Sequence, residues 1–418
     1  MGFKQLFSKR RRKQNVTQDQ QQDQNTQEAQ VETVPQHQQV DQGFRDVVDK
    51  INSNVNDLLR SPNQLKGNDE DLALFHRDEI LIGKHVGSGA FSDVYEVSAF
   101  KPQPDAENDL TFHQSLAREC LTSSCLNGEA QYVIKHLRPK FLEMPRQAFC
   151  MAAADLVVEG NFLASLNHPH ILGIRGWGKG GAEAYGDGNN DGYFLIVKRL
   201  DETLEQRMER WNEEGISDDD LHFECARIGT QISSALEYLH GRNLIFRDLK
   251  PDNIGFDVND KIKIFDFGLC RELPSSGESN SLFSMTGRVG TLRYMSPECA
   301  LKATYGISSD VYSFSMVLFE MMNRGCKAFA GARREEYLEN TCRNGERPEI
   351  DASWPIMIQD LLERGWSTTI KERPSMSEIN NRLQDVMMDL VLGNPAASEI
   401  HDSRQHIRWN GSESYDSL

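Results

Sequence analysis

One change of texture, at Asp201, constrains the architecture of this chain more than any other feature. Upstream, from Ile80, short runs rich in β-branched and aromatic residues recur: Ile80–Val86, Val94–Ala99, Tyr132–Leu137, His170–Gly176 and Tyr193–Leu200. Downstream, apolar residues return at three- and four-residue spacing, most clearly in Leu221–His240 and Ser308–Asn323 and again across 353–392. Strands gathered in one stretch and helices in the next predict an α+β class, with a five-stranded sheet over 79–200 and a mostly helical part over 201–392. One helix, Ala152–Leu166, is expected inside the sheet region. Polar stretches at 100–130 and 178–192 have no apolar period and read as surface loops.

The flanks have a different composition. Residues 14–42 are dominated by Gln with Asp, Asn, Thr and Ser, too few apolar groups to repay the entropy of ordering, so 1–41 is expected to be disordered. Residues 393–418 form a second polar tail with the same expectation. Between the first flank and the sheet, Phe44, Val47, Val48, Ile51, Val55, Leu58 and Leu59 recur with helical period, which predicts an amphipathic helix over 42–62 ended by Ser61-Pro62.

The formal charge is −17, yet residues 1–13 hold six basic residues and no acidic one, which leaves −23 on the remainder. A body that acidic argues against a nucleic-acid-binding core. There is no run of 18 apolar residues and no secretory signal at the N-terminus, so no transmembrane segment is expected and the location is read as cytoplasmic, with a nuclear alternative. The eight cysteines lack any C-x-x-C pair, which suits reduced, buried thiols. The basic run Lys9–Lys13 suits a nuclear address or contact with a membrane surface. Gly2 does not complete a myristoylation motif, because position 6 is Leu6 rather than Ser or Thr.

Three short segments carry chemistry. A strand ending at Val86 runs into Gly87-Ser88-Gly89-Ala90-Phe91-Ser92-Asp93-Val94, and glycines there let backbone approach phosphates closely. Tyr132-Val133-Ile134-Lys135 puts one lysine in a strand that should be buried, where an ammonium requires an anionic partner; Glu159 on the expected helix is the candidate. The third and strongest is Phe246-Arg247-Asp248-Leu249-Lys250-Pro251-Asp252-Asn253, followed thirteen residues later by Asp266-Phe267-Gly268. Phosphoryl transfer to a hydroxyl needs a carboxylate to position the nucleophile and oxygen ligands for magnesium. Asp248 suits the first task, Asn253 and Asp266 the second, and Lys250 can neutralise charge on the group in transfer.

In this order and spacing the segments resemble the eukaryotic protein kinase superfamily over about three quarters of the chain, from residue 79 to 392. Ser296-Pro297-Glu298, Asp310 and Arg373-Pro374 extend the likeness. Gly290-Thr291-Leu292-Arg293-Tyr294-Met295 is most similar to the tyrosine-kinase-like branch of serine/threonine kinases. The resemblance implies a bilobal fold, with an antiparallel five-stranded sheet in the N-lobe (79–200) and helices in the C-lobe (201–392). It also implies ATP and Mg2+ as cofactors and protein serine or threonine hydroxyls as acceptors. By position it implies nucleotide contacts from Val86, Gly87, Ser88, Gly89, Val94, Val133, Lys135, Glu159, Val197, Lys198 and Leu200. It implies catalysis by Asp248 and Lys250, metal binding by Asn253 and Asp266, and an ion pair between Glu298 and Arg373.

Four departures from the family pattern stand out. Ser92 replaces the third loop glycine, and Phe246 replaces the usual histidine while still able to fill an apolar position beneath Phe267. Val133 stands where alanine usually roofs the adenine. Lys198 replaces the acidic residue that follows the gatekeeper position, Val197. The rival reading is a scaffold that keeps the fold without transferring phosphate, and the complete set of Lys135, Glu159, Asp248, Asn253 and Asp266 speaks against it. Regulation by phosphorylation is expected between Asp266 and Glu298, foremost at Thr286, then at Ser281 and Ser284.

Overall fold

The computed structural model describes residues 36–59, 71–103, 110–124, 131–186, 188–274, 290–301, 304 and 306–393. The basic run at 9–13, Ser61-Pro62, Thr286, Ser281, Ser284 and the tail from 394 lie outside these residues. Two compact units divide after Gln42. Of the first, only the opening of helix α1 (Gln36–Leu58) is described, and every other described element belongs to the second. The helix therefore starts within the stretch expected to be disordered. Lengthening an existing helix adds one hydrogen bond per residue fixed, so polar Gln residues can extend what the apolar face nucleates.

The main sheet has six strands, not five, in the order β1-β5-β6-β4-β3-β2. They are β1 (Ala73–Phe75), β2 (Ile80–Ser88), β3 (Ser92–Phe100), β4 (Tyr132–Leu137), β5 (Ile174–Gly178) and β6 (Phe194–Lys198). All five expected strands are present and antiparallel to their neighbours, but β1 joins β5 in parallel, so the sheet is mixed. At three residues β1 is too short for an alternation signal, and it lies outside the span where strands were expected. Its Ala73 and Phe75 are fully buried.

The expected loop at 100–130 contains a helix, α2 (Phe112–Ser124). Its buried anchor is Arg118, whose guanidinium donates to both oxygens of Glu79 (2.7 and 3.1 Å) and to the Leu74 carbonyl (2.6 Å). This pairing, together with the His76 and Gln103 N–H groups that Glu79 also accepts (2.7 and 2.9 Å), makes such deep burial of two charges tolerable. The expected loop at 178–192 is likewise partly structured: a turn over Gly181–Tyr185 buries Ala182 and Tyr185.

The helix α3 (Arg146–Ser165) lies against the sheet. Gly160 makes the close approach possible, since a Cβ there would come within 2.5 Å of the Tyr193 hydroxyl and 2.9 Å of Leu195. Among the described residues α3 is the one helix long and apolar enough to cross a membrane. Its apolar residues Ala152–Ala154, Leu156–Val158, Phe162 and Leu163 are instead buried in the main core.

Beyond β6 the strands are short: β7 (Glu202–Thr203), β8 (Leu244–Ile245), β9 (Ile254–Phe256), β10 (Ile262–Ile264) and β11 (Arg271–Glu272). Helices supply the bulk: α4 (Leu204–Glu214), α5 (Asp218–His240), α6 (Pro297–Ala300), α7 (Ser308–Met322), α8 (Arg334–Tyr337), α9 (Ile356–Gly365) and α10 (Met376–Gly393). Every residue of α7 is buried, and α5 packs along α10. Fifteen buried residues in succession cannot show a clean amphipathic period, because no face is left for solvent.

Candidate active site

Two loops, one strand and one helix bring the candidate residues together. Lys135 on β4 donates its ammonium to both carboxylate oxygens of Glu159 on α3 (2.7 and 2.8 Å) and to Asp266 (3.0 Å), a residue 131 positions away. Burial works against the ammonium, but the charges of Asp266 and Glu159 outweigh it and hold Lys135 protonated far above neutral pH. The same lysine holds the Asp266 carboxyl below the usual range. Asp266 sits in left-handed backbone conformation (φ +67°), and so does Arg247 (φ +72°). Such strain on non-glycine residues concentrates at functional loops.

Asp248 is the hub of the second group. One of its oxygens accepts from Lys250 Nζ (2.8 Å) and Asn253 Nδ2 (3.0 Å), the other from the Thr291 backbone N–H (3.0 Å) and hydroxyl (3.3 Å). Lys250 also reaches the Thr291 hydroxyl (3.2 Å). Gly290, at φ +104°, makes this possible: a Cβ there would lie 2.7 Å from the Arg247 carbonyl oxygen and 3.2 Å from Asp248. Beneath the loop, buried Asp310 accepts the N–H groups of Phe246 and Arg247 (2.9 Å each) and faces His240 Nε2 at 3.0 Å. The Phe246 ring meets Phe267 edge-on, centroids 5.0 Å apart, so phenylalanine does fill the apolar position below the Asp-Phe-Gly segment.

Val133 and Val197 stand opposite each other on β4 and β6, and Val94 on β3 stands opposite Lys135. With Leu200 they join the apolar cluster beside the lysine, whereas Lys198 is exposed and Val86 half exposed. The glycine loop is the hairpin between β2 and β3, closed by Gly89 N–H donating to the Ser92 carbonyl (2.7 Å).

Several contacts of this site had no sequence signal, and neither did three of the residues that make them, Arg138, Asp155 and Arg271. Ser88 donates to Asp93 (2.6 Å), Asp93 pairs with Arg138 (3.2 Å), and Arg138 donates to the Gly89 carbonyl (3.2 Å), a clasp across the glycine loop. On the other side, Arg271 donates to the Gly268 and Cys270 carbonyls (3.0 and 2.6 Å) and reaches Asp155 of α3 at 3.7 Å, while Arg247 donates to the Leu269 carbonyl (2.6 Å). Only the fold brings Asp155 and Arg271 together. Farther out, the buried Arg373 guanidinium pairs with both oxygens of Glu298 (2.7 and 3.0 Å), as the resemblance implied.

Comparison with known proteins agrees with this geometry. Residues 80–383 match the family model described as protein tyrosine and serine/threonine kinase. A probable serine/threonine-protein kinase of Dictyostelium discoideum is 29% identical over 239 residues, 56% of this chain and 14% of that protein. Serine/threonine-protein kinase TNNI3K of Rattus norvegicus is 34% identical over 179 residues, 42% of this chain and 21% of that protein. Serine/threonine-protein kinase STY46 of Arabidopsis thaliana is 31% identical over 170 residues, 39% of this chain and 27% of that protein. Each relative is thus several times longer than the part it shares with this chain. The chain belongs to the protein tyrosine and serine/threonine kinase family.

Proposed function

We propose that residues 79–392 transfer the γ-phosphoryl group of ATP to serine and threonine hydroxyls of other proteins in intracellular signalling. The observation that carries this reading is the convergence of Glu159 and Asp266 on the Lys135 ammonium, within a fold that independently clusters Asp248, Lys250, Asn253 and Thr291. In this reading Lys135, fixed by Glu159, holds nucleotide phosphates under the Gly87–Gly89 loop. Val86, Val94, Val133, Val197 and Leu200 form the apolar walls of the nucleotide site, and Lys198 lies at its rim. Asp248 orients the acceptor hydroxyl and takes up its proton, while Lys250 neutralises charge on the group in transfer.

The donor set fits magnesium. No group of three His, Cys, Asp or Glu suited to a metal exists among the described residues. Mg2+ in such enzymes is held by one or two protein oxygen ligands, with phosphates and water completing the shell. Asp266 offers a carboxylate, and Asn253, whose nitrogen is committed to Asp248, offers its carbonyl oxygen. Bound there, the ion would supply positive charge that neutralises the phosphates.

The test is phosphorylation of a peptide array by the purified chain with and without Mg2+, with Asp266→Asn alongside. Magnesium-dependent labelling of Ser and Thr peptides by the wild type alone is expected. Equal labelling by Asp266→Asn, or none by the wild type, removes the assignment. We assign regulation to phosphorylation of Thr286, with Ser281 and Ser284 next, all outside the described residues. Phosphatase treatment and Thr286→Ala should each lower activity, and full activity in both refutes that assignment.

A further inference from the structure

The helix α1 buries Val47, Ile51, Val55 and then Leu59 just beyond its end, a strip at four-residue spacing with none more than 9% exposed. Part of what covers this strip is α3. The fully buried Cys150 thiol of α3 points at the Val47 carbonyl (3.9 Å). Next to it, Phe149 packs edge-on against Tyr185, centroids 5.6 Å apart, in the turn followed by Gly186, where a Cβ would come within 3.8 Å of Val48.

Cys150 and Glu159 are nine residues apart, which at 3.6 residues per turn places them on opposite sides of α3. One side of the helix therefore presents Glu159 to Lys135, and the other meets α1 at Val47. This also accounts for the composition of α3. A helix apolar on nearly all sides must be buried on more than one, and the sheet covers only one.

We propose that α1 is an in-chain brace for α3: by covering the side opposite Glu159 it keeps that carboxylate at Lys135, which makes Val47, Ile51 and Val55 positioning residues for phosphoryl transfer. The inference rests on the kinase reading of the site. Burying even one aliphatic side chain only when α3 lies inward shifts that equilibrium by roughly ten- to a hundredfold.

The experiment uses the full chain with Ile51→Asp, Ile51→Ala and the conservative Ile51→Leu. Four quantities are read: kcat, KM for ATP, the melting temperature, and the maleimide labelling rate of Cys150 resolved by mass spectrometry. Ile51→Asp should lower kcat by roughly tenfold or more and expose Cys150 to labelling, and Ile51→Ala should do both to a smaller degree. Ile51→Leu should match the wild type, and a synthetic peptide of residues 36–59 should restore kcat and protection to the aspartate variant.

If Cys150 becomes reactive while kcat stays within about twofold of wild type, the brace does not serve transfer. If Cys150 stays protected in a folded Ile51→Asp protein, α1 is not its cover. Should Ile51→Asp fail to fold, Ile51→Ala decides by the same two readouts. An inactive wild type refutes the kinase reading itself, an outcome separate from both.

Discussion

Asp155 is held at a thermodynamic loss, and removing its charge should stabilise the protein. The carboxylate lies on α3 with Arg271 at 3.7 Å. Burial pushes its carboxyl up from 3.8 to about 6, with Asp266 adding to the rise, while Arg271 and Arg247 pull it back only in part. Between about pH 4 and 6 the folded chain keeps a proton that the unfolded chain has released. Stability therefore falls as pH rises through that window and stays lower above it.

The difference of about two pKa units corresponds to about 3 kcal/mol at neutral pH. Asn has the shape of the protonated acid. Asp155→Asn should thus raise unfolding free energy by up to about 3 kcal/mol at pH 7.5 and by nearly nothing at pH 4. Urea titrations followed by tryptophan fluorescence at pH 4, 5, 6 and 7.5 give the comparison. A variant less stable than wild type at pH 7.5, or a gap that does not change with pH, would show that the Arg271 pair outweighs burial and that the reasoning is wrong. A stabilised variant with reduced kcat would show why the carboxylate is kept: it ties α3 to the arginine that grips the Gly268 and Cys270 carbonyls.

Three other outcomes are expected. Asp248→Asn and Asp266→Asn should each lower kcat by roughly a hundredfold or more with melting temperatures near wild type, read by steady-state kinetics and calorimetry. Arg373→Ala should cost about 3–5 kcal/mol in urea unfolding, because it strands the Glu298 carboxylate where burial alone would raise its pKa. Arg373 holds that pKa below 4.5, so its contribution is present above the ordinary carboxylate range and fades as pH falls through the lowered value. Ser88→Ala should raise KM for ATP about fivefold with little change in kcat, the effect of one lost hydrogen bond in the loop clasp.

What could be read in the sequence was what is local in it. Asp248, Lys250 and Asn253 sit within one loop, so their clustering follows from spacing; the five antiparallel strands each had their own β-like run. What escaped was set by distant partners. Arg118 looks like one more charged residue in a polar stretch until the fold places Glu79, 39 residues earlier, against it. The pairs Asp93–Arg138 and Asp155–Arg271 leave no local pattern either. Ala73–Phe75 is too short to register as a strand, although its burial is complete at both ends. The amphipathic period of α1 was legible, but not that its apolar strip meets the helix carrying Glu159.

The parallel strand β1 also decides where the molecule tolerates being cut. A fragment starting at residue 79 includes all of the family match, which begins at 80, but lacks Ala73–Phe75, and so bares the outer edge of β5 at Gly176–Gly178. It also takes the Leu74 carbonyl from Arg118 and the Phe75 ring from beneath that guanidinium, which lies 4.5 Å away. An uncovered strand edge beside an apolar seat is a template for pairing with a second chain. Recombinant protein trimmed to residue 79 should therefore self-associate, whereas protein that begins ahead of Ala73 should remain monodisperse in light scattering.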